Sequence, residues 1–380
     1  MVSASDSPPA AADGEILFDD DDGGPVPVVT LNRPRALNAL TYGMALALSR
    51  RLVAWREDPA VRAAVIRGAG GGRAFCAGGD IRSLYEERHR VGPEAASRYY
   101  WDEYRLNWRL FHFPKPWIAF LDGITMGGGV GVSAHGSHRV VTENTVFAMP
   151  ETGIGLFPDV GATYVLPRLP GAIGMYVGLT GARLGAADCL YAGLGTHHVP
   201  AARLGELERA LRGLGNRAGD AVAVDGAIGR FGGDPGPPPL AGVRERIDAC
   251  FGRETLEEVL AALAAEPTGW GGEQLAVLGG KCPTSLRVTF RALREGARLD
   301  FDGCMRMEYR LVRRFMAGHD LFEGIRALII DKDSRPRWRP DRLEEVTATD
   351  VEAYFAPLPD GDLPFDWDAS RVAAGGGLPA

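Results

Sequence analysis

Two carboxylates with apolar neighbours are the residues of this sequence best suited to chemistry. Glu151 comes directly after Met149 and Pro150. Asp159 follows further on, close to Phe157. A carboxyl group among apolar side chains is poorly solvated, and such groups perform proton transfer or nucleophilic attack. The residues alone leave a second interpretation open, in which the prolines beside both carboxylates form a solvated turn.

Two glycine-rich segments are the next candidates, residues 76–80 (CAGGD) and residues 127–129 (GGG). Each follows a predicted strand and precedes a predicted helix. The backbone N–H groups at a helix N-terminus are free, so they suit an anionic phosphate or a carbonyl oxygen that becomes an oxyanion. The alternative is a pair of tight turns with close helix packing. Neither segment matches G-x-G-x-x-G, which disfavours a nicotinamide dinucleotide.

Serine and histidine residues suggest a third kind of chemistry. Ser133, His135 and His138 are the residue types of a serine hydrolase. However, the sequence around Ser133 lacks the second glycine of G-x-S-x-G, and three residues this close cannot form a triad by spacing alone. A serine nucleophile is therefore disfavoured. A metal site is disfavoured more strongly, whether at His135 and His138 or at residues 197–198.

The elements that must position these residues alternate between strands and helices in the first half of the chain. Short runs of β-forming residues predict strands at 15–18, 25–31, 61–67, 117–121, 138–142 and 145–149. Helical spacing of Met44, Leu48 and Leu52 predicts a helix between the second strand and the third. Because the glycine-rich segments follow strands, this order predicts an α/β protein with its ligand near the strand ends.

The second half of the chain is predicted to be mainly helical. Residues 201–264 have a helical composition, and Thr255 with Glu258 forms the signature of a capping box. Two more helices are expected, at about 284–296 and 303–317. The chain therefore divides into a disordered tail at 1–14, an α/β core with the site at 15–200, a mainly helical region at 201–355 and a C-terminal tail at 356–380.

Composition and charge narrow the class of protein and of partner. The 380 residues are 46% apolar and 24% charged, as in an ordinary soluble globular protein. The net charge of −7 and the lack of a Lys/Arg cluster disfavour nucleic acid and anionic membranes as partners. Five widely spaced cysteines predict a reduced, intracellular protein without a zinc site. The first residues have neither positive charge nor an apolar run, so we expect a cytoplasmic protein without a signal or transit peptide.

Longer motifs surround the candidate residues. They are TLNRP at 30–34, AFCAGGDI at 74–81, GITMGGGVG at 123–131, FAMPE at 147–151, GLFPDVG at 155–161, MEYRL at 307–311 and GHD at 318–320. Together they resemble the crotonase, or enoyl-CoA hydratase/isomerase, superfamily from about residue 28 to residue 355. The resemblance implies an α/β fold built as a spiral of β-β-α units, followed by a helical C-terminal region.

The resemblance also implies roles for individual residues. The superfamily shares an oxyanion hole for the carbonyl of an acyl-CoA thioester, and by motif match its donors are the N–H groups of Gly79 and Gly128. Glu151 would act as a base toward water or as the nucleophile, while Asp159 would orient the substrate hydroxyl or the water. Glu103, which by itself predicts an exposed helix residue, matches a glutamate that contacts the substrate. Further substrate-binding residues are expected at Ala77, Gly78 and Asp80.

One position distinguishes the branches of the superfamily. Enoyl-CoA hydratases carry a second glutamate where this chain has Gly131, and usually a small residue where it has Asp159. The resemblance is therefore greatest to the branch that hydrolyses the thioester of 3-hydroxyisobutyryl-CoA, with 3-hydroxypropionyl-CoA as a second expected substrate. A hydratase or isomerase is the first alternative. A non-catalytic protein that binds CoA thioesters is the second.

The resemblance implies few partners besides the acyl-CoA substrate. No metal or redox cofactor is expected, since CoA is itself part of the substrate. Members of the superfamily are often trimers or paired trimers, so a homo-oligomer is one expectation for this chain.

Overall fold

The computed structural model of the chain describes residues 14–20 and 24–368, and for residues 93–96 the backbone alone. The tail predicted at residues 1–14 lies, apart from Gly14, outside the described residues. The same holds for residues 369–380 at the other end.

The strands of the described residues form two sheets. They are β1 (Ile16–Asp19), β2 (Val28–Leu31), β3 (Ala64–Gly68), β4 (Ala74–Cys76), β5 (Trp117–Leu121), β6 (Ile124–Met126), β7 (His138–Val141), β8 (Val146–Ala148) and β9 (His197–His198). The larger sheet has the order β1-β2-β3-β5-β7-β9, and the smaller has the order β4-β6-β8. β1 and β2 form an antiparallel hairpin, whereas the other neighbours are parallel.

A β-β-α unit recurs along the chain. In each unit one strand joins the larger sheet, the next joins the smaller sheet, and a helical element follows; β3 with β4, β5 with β6 and β7 with β8 begin such units. Gly123, between β5 and β6, has a φ of +98°, and a methyl group there would lie 2.6 Å from the backbone of Ala74. The sharp passage between the sheets therefore requires glycine. The predicted spiral of β-β-α units is confirmed.

Successive side chains of the central strands point alternately into two apolar cores. Ile66 in β3 and Ala119 in β5 face the main core. Their neighbours Val65 and Ile118 point the other way, into a smaller core that includes Leu207. Successive side chains of a strand point to opposite faces, so a parallel sheet covered on both sides needs apolar residues throughout.

The remaining elements are helices. They are α1 (Tyr42–Glu57), α2 (Ile81–Arg90), α3 (Pro93–Phe111), α4 (Gly128–Gly131), α5 (Ala162–Val165), α6 (Ile173–Thr180), α7 (Ala186–Ala192), α8 (Leu204–Arg212), α9 (Ala221–Gly229), α10 (Arg244–Phe251), α11 (Leu256–Ala264), α12 (Trp270–Gly279), α13 (Pro283–Gly296), α14 (Phe301–Ala317), α15 (Asp320–Ile325) and α16 (Ala348–Phe355). The predicted capping box of Thr255 and Glu258 opens α11. Across residues 14–20 and 24–368, no helix combines the length and the apolar content that crossing a bilayer requires.

Helix α3 is central to the site, and it packs against α1 and α14. On the side away from the site, the buried Arg105 places a guanidinium nitrogen 2.9 Å from Asp366, and Arg109 donates to the Asp366 carbonyl oxygen. Trp108 stacks on Phe365, with the ring centroids 5.4 Å apart. The described part of the C-terminal tail therefore fixes the helix that carries Glu103.

Candidate active site

A cavity of about 220 Å³ lies where both glycine-rich segments, α3 and the turn after β8 meet. The residues that line it include Ala77, Gly78, Gly79, Asp80, Glu103, Gly128, Glu151 and Asp159. Leu328 and Ile329, from a π-helix at Arg326–Ile330, also line it. The fold therefore brings together every residue that the motif match assigned, while the role of each stays a prediction.

Glu151 begins a short 3₁₀ helix, Glu151–Ile154, directly after β8. The residue is 4% exposed, and its Oε2 atom has no hydrogen-bond partner among the described residues. A methyl group on Gly127 would lie 3.3 Å from Oε1, so the carboxyl group lies against the glycine segment. Burial, and then the charge of Asp159, raise the pKa of Glu151 well above its ordinary value. The solvated-turn interpretation is therefore wrong.

Asp159 is the second carboxylate of the cavity and is also 4% exposed. Its Oδ2 atom accepts a hydrogen bond of 2.8 Å from the Tyr104 hydroxyl. Burial raises the pKa of Asp159 to about 7, and the bond from Tyr104 opposes that rise. A carboxyl group with such a pKa can exchange a proton at neutral pH.

The two glycine-rich segments touch each other beside these carboxylates. Gly128 is the first residue of α4, and a methyl group on it would lie 3.2 Å from the Gly79 nitrogen. Neither the Gly79 N–H nor the Gly128 N–H donates to another backbone group among the described residues. Gly78 and Gly127 have φ values of +117° and +47°, which side chains rarely allow. Two free donors at one place fit a single anionic oxygen.

Glu103 lies in the same cavity and is 2% exposed, so the prediction of an exposed helix residue is wrong. Its Oε1 atom accepts a hydrogen bond of 2.8 Å from the Tyr99 hydroxyl. A methyl group on Gly128 would lie 2.8 Å from the same oxygen. Burial, followed by the charge of Asp159, raises the pKa of Glu103 well above its ordinary value. The exposed interpretation failed because α3 is covered by other helices on several sides.

Asp80 has structural partners as well as a place at the cavity. It is the N-cap of α2, where its side chain accepts from the Ser83 N–H. Its Oδ2 atom also lies 2.9 Å from a guanidinium nitrogen of Arg33. These contacts fix the loop that contains Ala77 and Gly78.

Sequence reasoning missed Tyr104 and Lys281. Tyr104 follows Tyr100 at helical spacing, which is a weak signal for a shared face, but nothing local points to Asp159 as its partner. Lys281 is half-buried, and its charge lowers the pKa of Glu151 and so opposes the effect of burial. Lys281 comes from the segment before α13, far from Glu151 in the chain, so no motif connects the two residues.

The serine and histidine candidates do not form a catalytic group. The Ser133 hydroxyl donates to the Gly129 carbonyl oxygen at 2.7 Å, and His135 Nε2 lies 2.7 Å from the Val160 carbonyl oxygen. His138 and His197 flank Asp225 instead. Among residues 14–20 and 24–368, no three His, Cys, Asp or Glu side chains lie close enough together to hold a metal ion.

A larger cleft lies elsewhere, but it lacks these features. Its volume is about 560 Å³, and Met175, Phe251 and Arg298 are among the residues that line it. Neither glycine-rich segment reaches it, and neither does Glu151 or Asp159. Size alone therefore does not identify the site.

A spiral of β-β-α units with two free glycine N–H groups beside a buried glutamate defines a crotonase-type enzyme. The sequence matches the enoyl-CoA hydratase/isomerase family over residues 26–355, and the chain belongs to that family. Among curated relatives, the 3-hydroxyisobutyryl-CoA hydrolase of Xenopus laevis mitochondria is 44% identical over 339 residues, 88% of each chain. The mitochondrial enzyme of that name from Homo sapiens is 42% identical over 345 residues, 89% of this chain and 88% of its own.

Solved structures share the fold. A carnitinyl-CoA dehydratase from Mycobacterium thermoresistibile has a TM-score of 0.84 at 42% identity and covers 93% of this chain and 99% of its own. An enoyl-CoA hydratase from Rhodobacter sphaeroides 2.4.1 has a TM-score of 0.84 at 38% identity, over 92% and 100% of the two chains.

The relatives contradict one expectation from the sequence, the cytoplasmic location. The hydrolases of Xenopus laevis, Rattus norvegicus and Homo sapiens are each named mitochondrial. The expectation rested on the composition of the first residues and on reduced cysteines. The lack of two targeting features in the first residues does not by itself place a protein in the cytoplasm, and reduced cysteines do not distinguish one reducing compartment from another.

Proposed function

We propose that this chain hydrolyses the thioester of 3-hydroxyisobutyryl-CoA to free CoA and 3-hydroxyisobutyrate, a reaction of valine breakdown. The observation that carries the proposal is the buried carboxylate of Glu151, which has an oxygen without a partner beside two backbone N–H groups that are likewise unpaired within the described part of the chain. The names of relatives that are 42% and 44% identical over most of the chain support the substrate.

In the proposed reaction the thioester carbonyl oxygen accepts hydrogen bonds from the N–H groups of Gly79 and Gly128. These bonds stabilise the negative charge that the oxygen gains in the transition state. Glu151 then acts by one of two routes. As a base it takes a proton from the water that attacks the carbonyl carbon; as a nucleophile it attacks that carbon itself, and water opens the mixed anhydride. In both routes the C–S bond breaks, and the CoA thiolate leaves and takes a proton.

Asp159 is assigned to the 3-hydroxyl group of the substrate. Tyr104 occupies one oxygen of Asp159, and we assign the other oxygen to the hydroxyl. A site built to hydrogen-bond a hydroxyl rejects analogues that lack it, by about 10⁴-fold in favourable cases. The same contact accepts 3-hydroxypropionyl-CoA as a second substrate.

The test follows thiol release and enoyl absorbance on one enzyme sample with three esters. We expect rapid thiol release from 3-hydroxyisobutyryl-CoA and much slower release from isobutyryl-CoA, which differs only by the hydroxyl. Crotonyl-CoA should neither hydrate nor hydrolyse at a comparable rate. Rapid hydration of crotonyl-CoA without thiol release would contradict the proposal and favour the hydratase alternative.

A further inference from the structure

Val160 lies in the wall of the cavity, directly after Asp159, in a conformation that valine rarely adopts. Its φ is +53°, in the left-handed region. For a β-branched residue this conformation is strained, and such strain persists only where the surrounding structure enforces it. Strained residues of this kind are concentrated at functional sites.

Two side chains from elsewhere in the fold bind the backbone at and just after this strained residue. His135 Nε2 lies 2.7 Å from the Val160 carbonyl oxygen. Because a carbonyl oxygen can only accept, Nε2 carries the proton. Burial lowers the pKa of His135 to about 4, so the ring is neutral at neutral pH.

Glu308, from α14, is the second side chain that binds this backbone. Its Oε2 atom accepts from the Gly161 N–H at 2.8 Å. Its Oε1 atom accepts from the Thr163 N–H at 2.9 Å and from the Thr163 hydroxyl at 2.7 Å. Three donors within a few residues of Asp159 therefore converge on one carboxyl group.

The burial of Glu308 lowers the stability of the fold. It is 0% exposed, and no Lys, Arg or His forms an ion pair with it among the described residues. A buried carboxyl group without a cationic partner is costly to ionise, and burial raises the pKa of Glu308 to about 8. Its bonds serve the turn after Asp159, and neither Glu308 nor His135 lines the cavity.

We propose that Glu308 and His135 are positioning residues that hold the turn at residues 159–163 so that Asp159 meets both Tyr104 and the substrate hydroxyl. This inference rests on the proposed function, because it takes Asp159 as the group that recognises the hydroxyl. Glu308 and His135 thus act on substrate selection without touching the substrate.

The experiment compares kcat/KM for 3-hydroxyisobutyryl-CoA with kcat/KM for isobutyryl-CoA, and the ratio of the two is the readout. Glu308→Gln keeps the volume but turns an amide N–H₂ toward a backbone donor. We expect the ratio to fall by about 10-fold or more, because small displacements of an orienting group cost up to ~10²-fold. His135→Leu removes the hydrogen bond to the Val160 carbonyl oxygen and should lower the ratio as well. The inference can therefore be tested even if Glu308→Gln does not fold.

Asp188→Asn is the matched control. Asp188 is also buried and accepts a backbone N–H, from Leu240 at 2.7 Å, but it lies away from the cavity. Its substitution should lower the thermal midpoint and leave the ratio within about twofold of the wild-type value. If loss of stability alone lowered the ratio, Asp188→Asn and Glu308→Gln would lower it alike.

The outcomes separate the two proposals. If the wild type prefers the hydroxylated ester and Asp159→Ala loses that preference, but Glu308→Gln and His135→Leu keep it, the positioning role is overturned and the proposed function stands. If the wild type shows no preference, or Asp159→Ala keeps it, the assignment of Asp159 fails, and the positioning role fails with it.

Discussion

Glu151 combines burial with a carboxylate oxygen that has no partner among the described residues. Glu151→Gln keeps the shape of the side chain but can neither take a proton nor attack carbon. Thiol release from 3-hydroxyisobutyryl-CoA should therefore fall by ~10²-fold or more. The thermal midpoint should not fall, because glutamine keeps the volume and spares the cost of ionising a buried carboxyl group.

The control for Glu151 is Glu143→Gln, at an exposed position whose carboxylate accepts from the Ala201 N–H. This variant should keep wild-type turnover. Activity of Glu151→Gln within about tenfold of wild type would contradict the assignment of the base or nucleophile.

Gly131 is the position at which hydratases of the superfamily carry their second glutamate. A methyl group there would lie 2.6 Å from Asn107 Nδ2 and 2.8 Å from Val160 Cβ. Gly131→Glu should therefore lower the free energy of unfolding by about 2 kcal/mol or more and should not create hydratase activity. Chemical denaturation and the crotonyl-CoA assay measure the two effects.

The control for Gly131 is Gly185→Glu, because a methyl group added at Gly185 would have no heavy atom within 4 Å apart from its chain neighbours. That variant should have nearly wild-type stability. A stable Gly131→Glu protein that hydrates crotonyl-CoA would mean that the site can accept two carboxylates, and the distinction between the branches would be lost.

At the scale of elements, the N-terminus of α4 is the feature on which the proposed oxyanion hole depends. Gly128→Pro removes the N–H at the first helical position, where helices otherwise tolerate proline. Gly128→Ala adds a carbon at the same place, 2.8 Å from Glu103 Oε1, but keeps the N–H. Both variants should lose activity through crowding, and the proline variant should lose a further ~10²- to 10³-fold in kcat.

Ser133→Ala is the control for this element. The Ser133 hydroxyl donates to the Gly129 carbonyl oxygen and has no contact with the cavity, so turnover should change little. Equal activities of Gly128→Pro and Gly128→Ala would contradict the role of the N–H. A folded but inactive Ser133→Ala protein would restore the serine-hydrolase alternative.

At the scale of the whole molecule, the buried carboxyl groups make stability depend on pH. Burial raises the pKa of Asp159 to about 7 and that of Glu308 to about 8. A carboxyl group whose pKa is higher in the folded chain binds more protons when folded, so protonation stabilises the fold. This stabilisation is present below the unfolded pKa of about 4 and is lost as the pH rises through the folded pKa.

Asp159→Asn should reveal this dependence, because asparagine stays neutral at every pH. The thermal midpoint of the variant minus that of the wild type should increase by about 2 °C or more between pH 5 and pH 8. Scanning calorimetry at several pH values measures the difference. A difference that stays constant with pH would mean that Asp159 is ionised in the folded protein throughout this range.

Much of this protein could be predicted from the sequence, because the relevant signals are local. Short runs of β-forming residues marked the strands, the capping box at Thr255 marked the start of α11, and glycine segments after strands marked the loops. The fold followed from these signals and from the resemblance. Glu151 and Asp159 were also identified as candidates, since each has apolar neighbours in the chain.

Only the tertiary structure decided what surrounds those two carboxylates. Glu308 reaches Gly161 and Thr163 across 147 and 145 residues of sequence, and Tyr104 reaches Asp159 across 55. The burial of Glu103 depends likewise on helices that come from other parts of the chain. A hydrogen bond between distant segments leaves no period or motif in either segment, because each residue is compatible with its own helix or turn whether or not the partner is present. The sequence therefore indicated which residues could do chemistry. The orientation of each carboxylate was set only when α3 and α14 packed around the turn at residues 159–163.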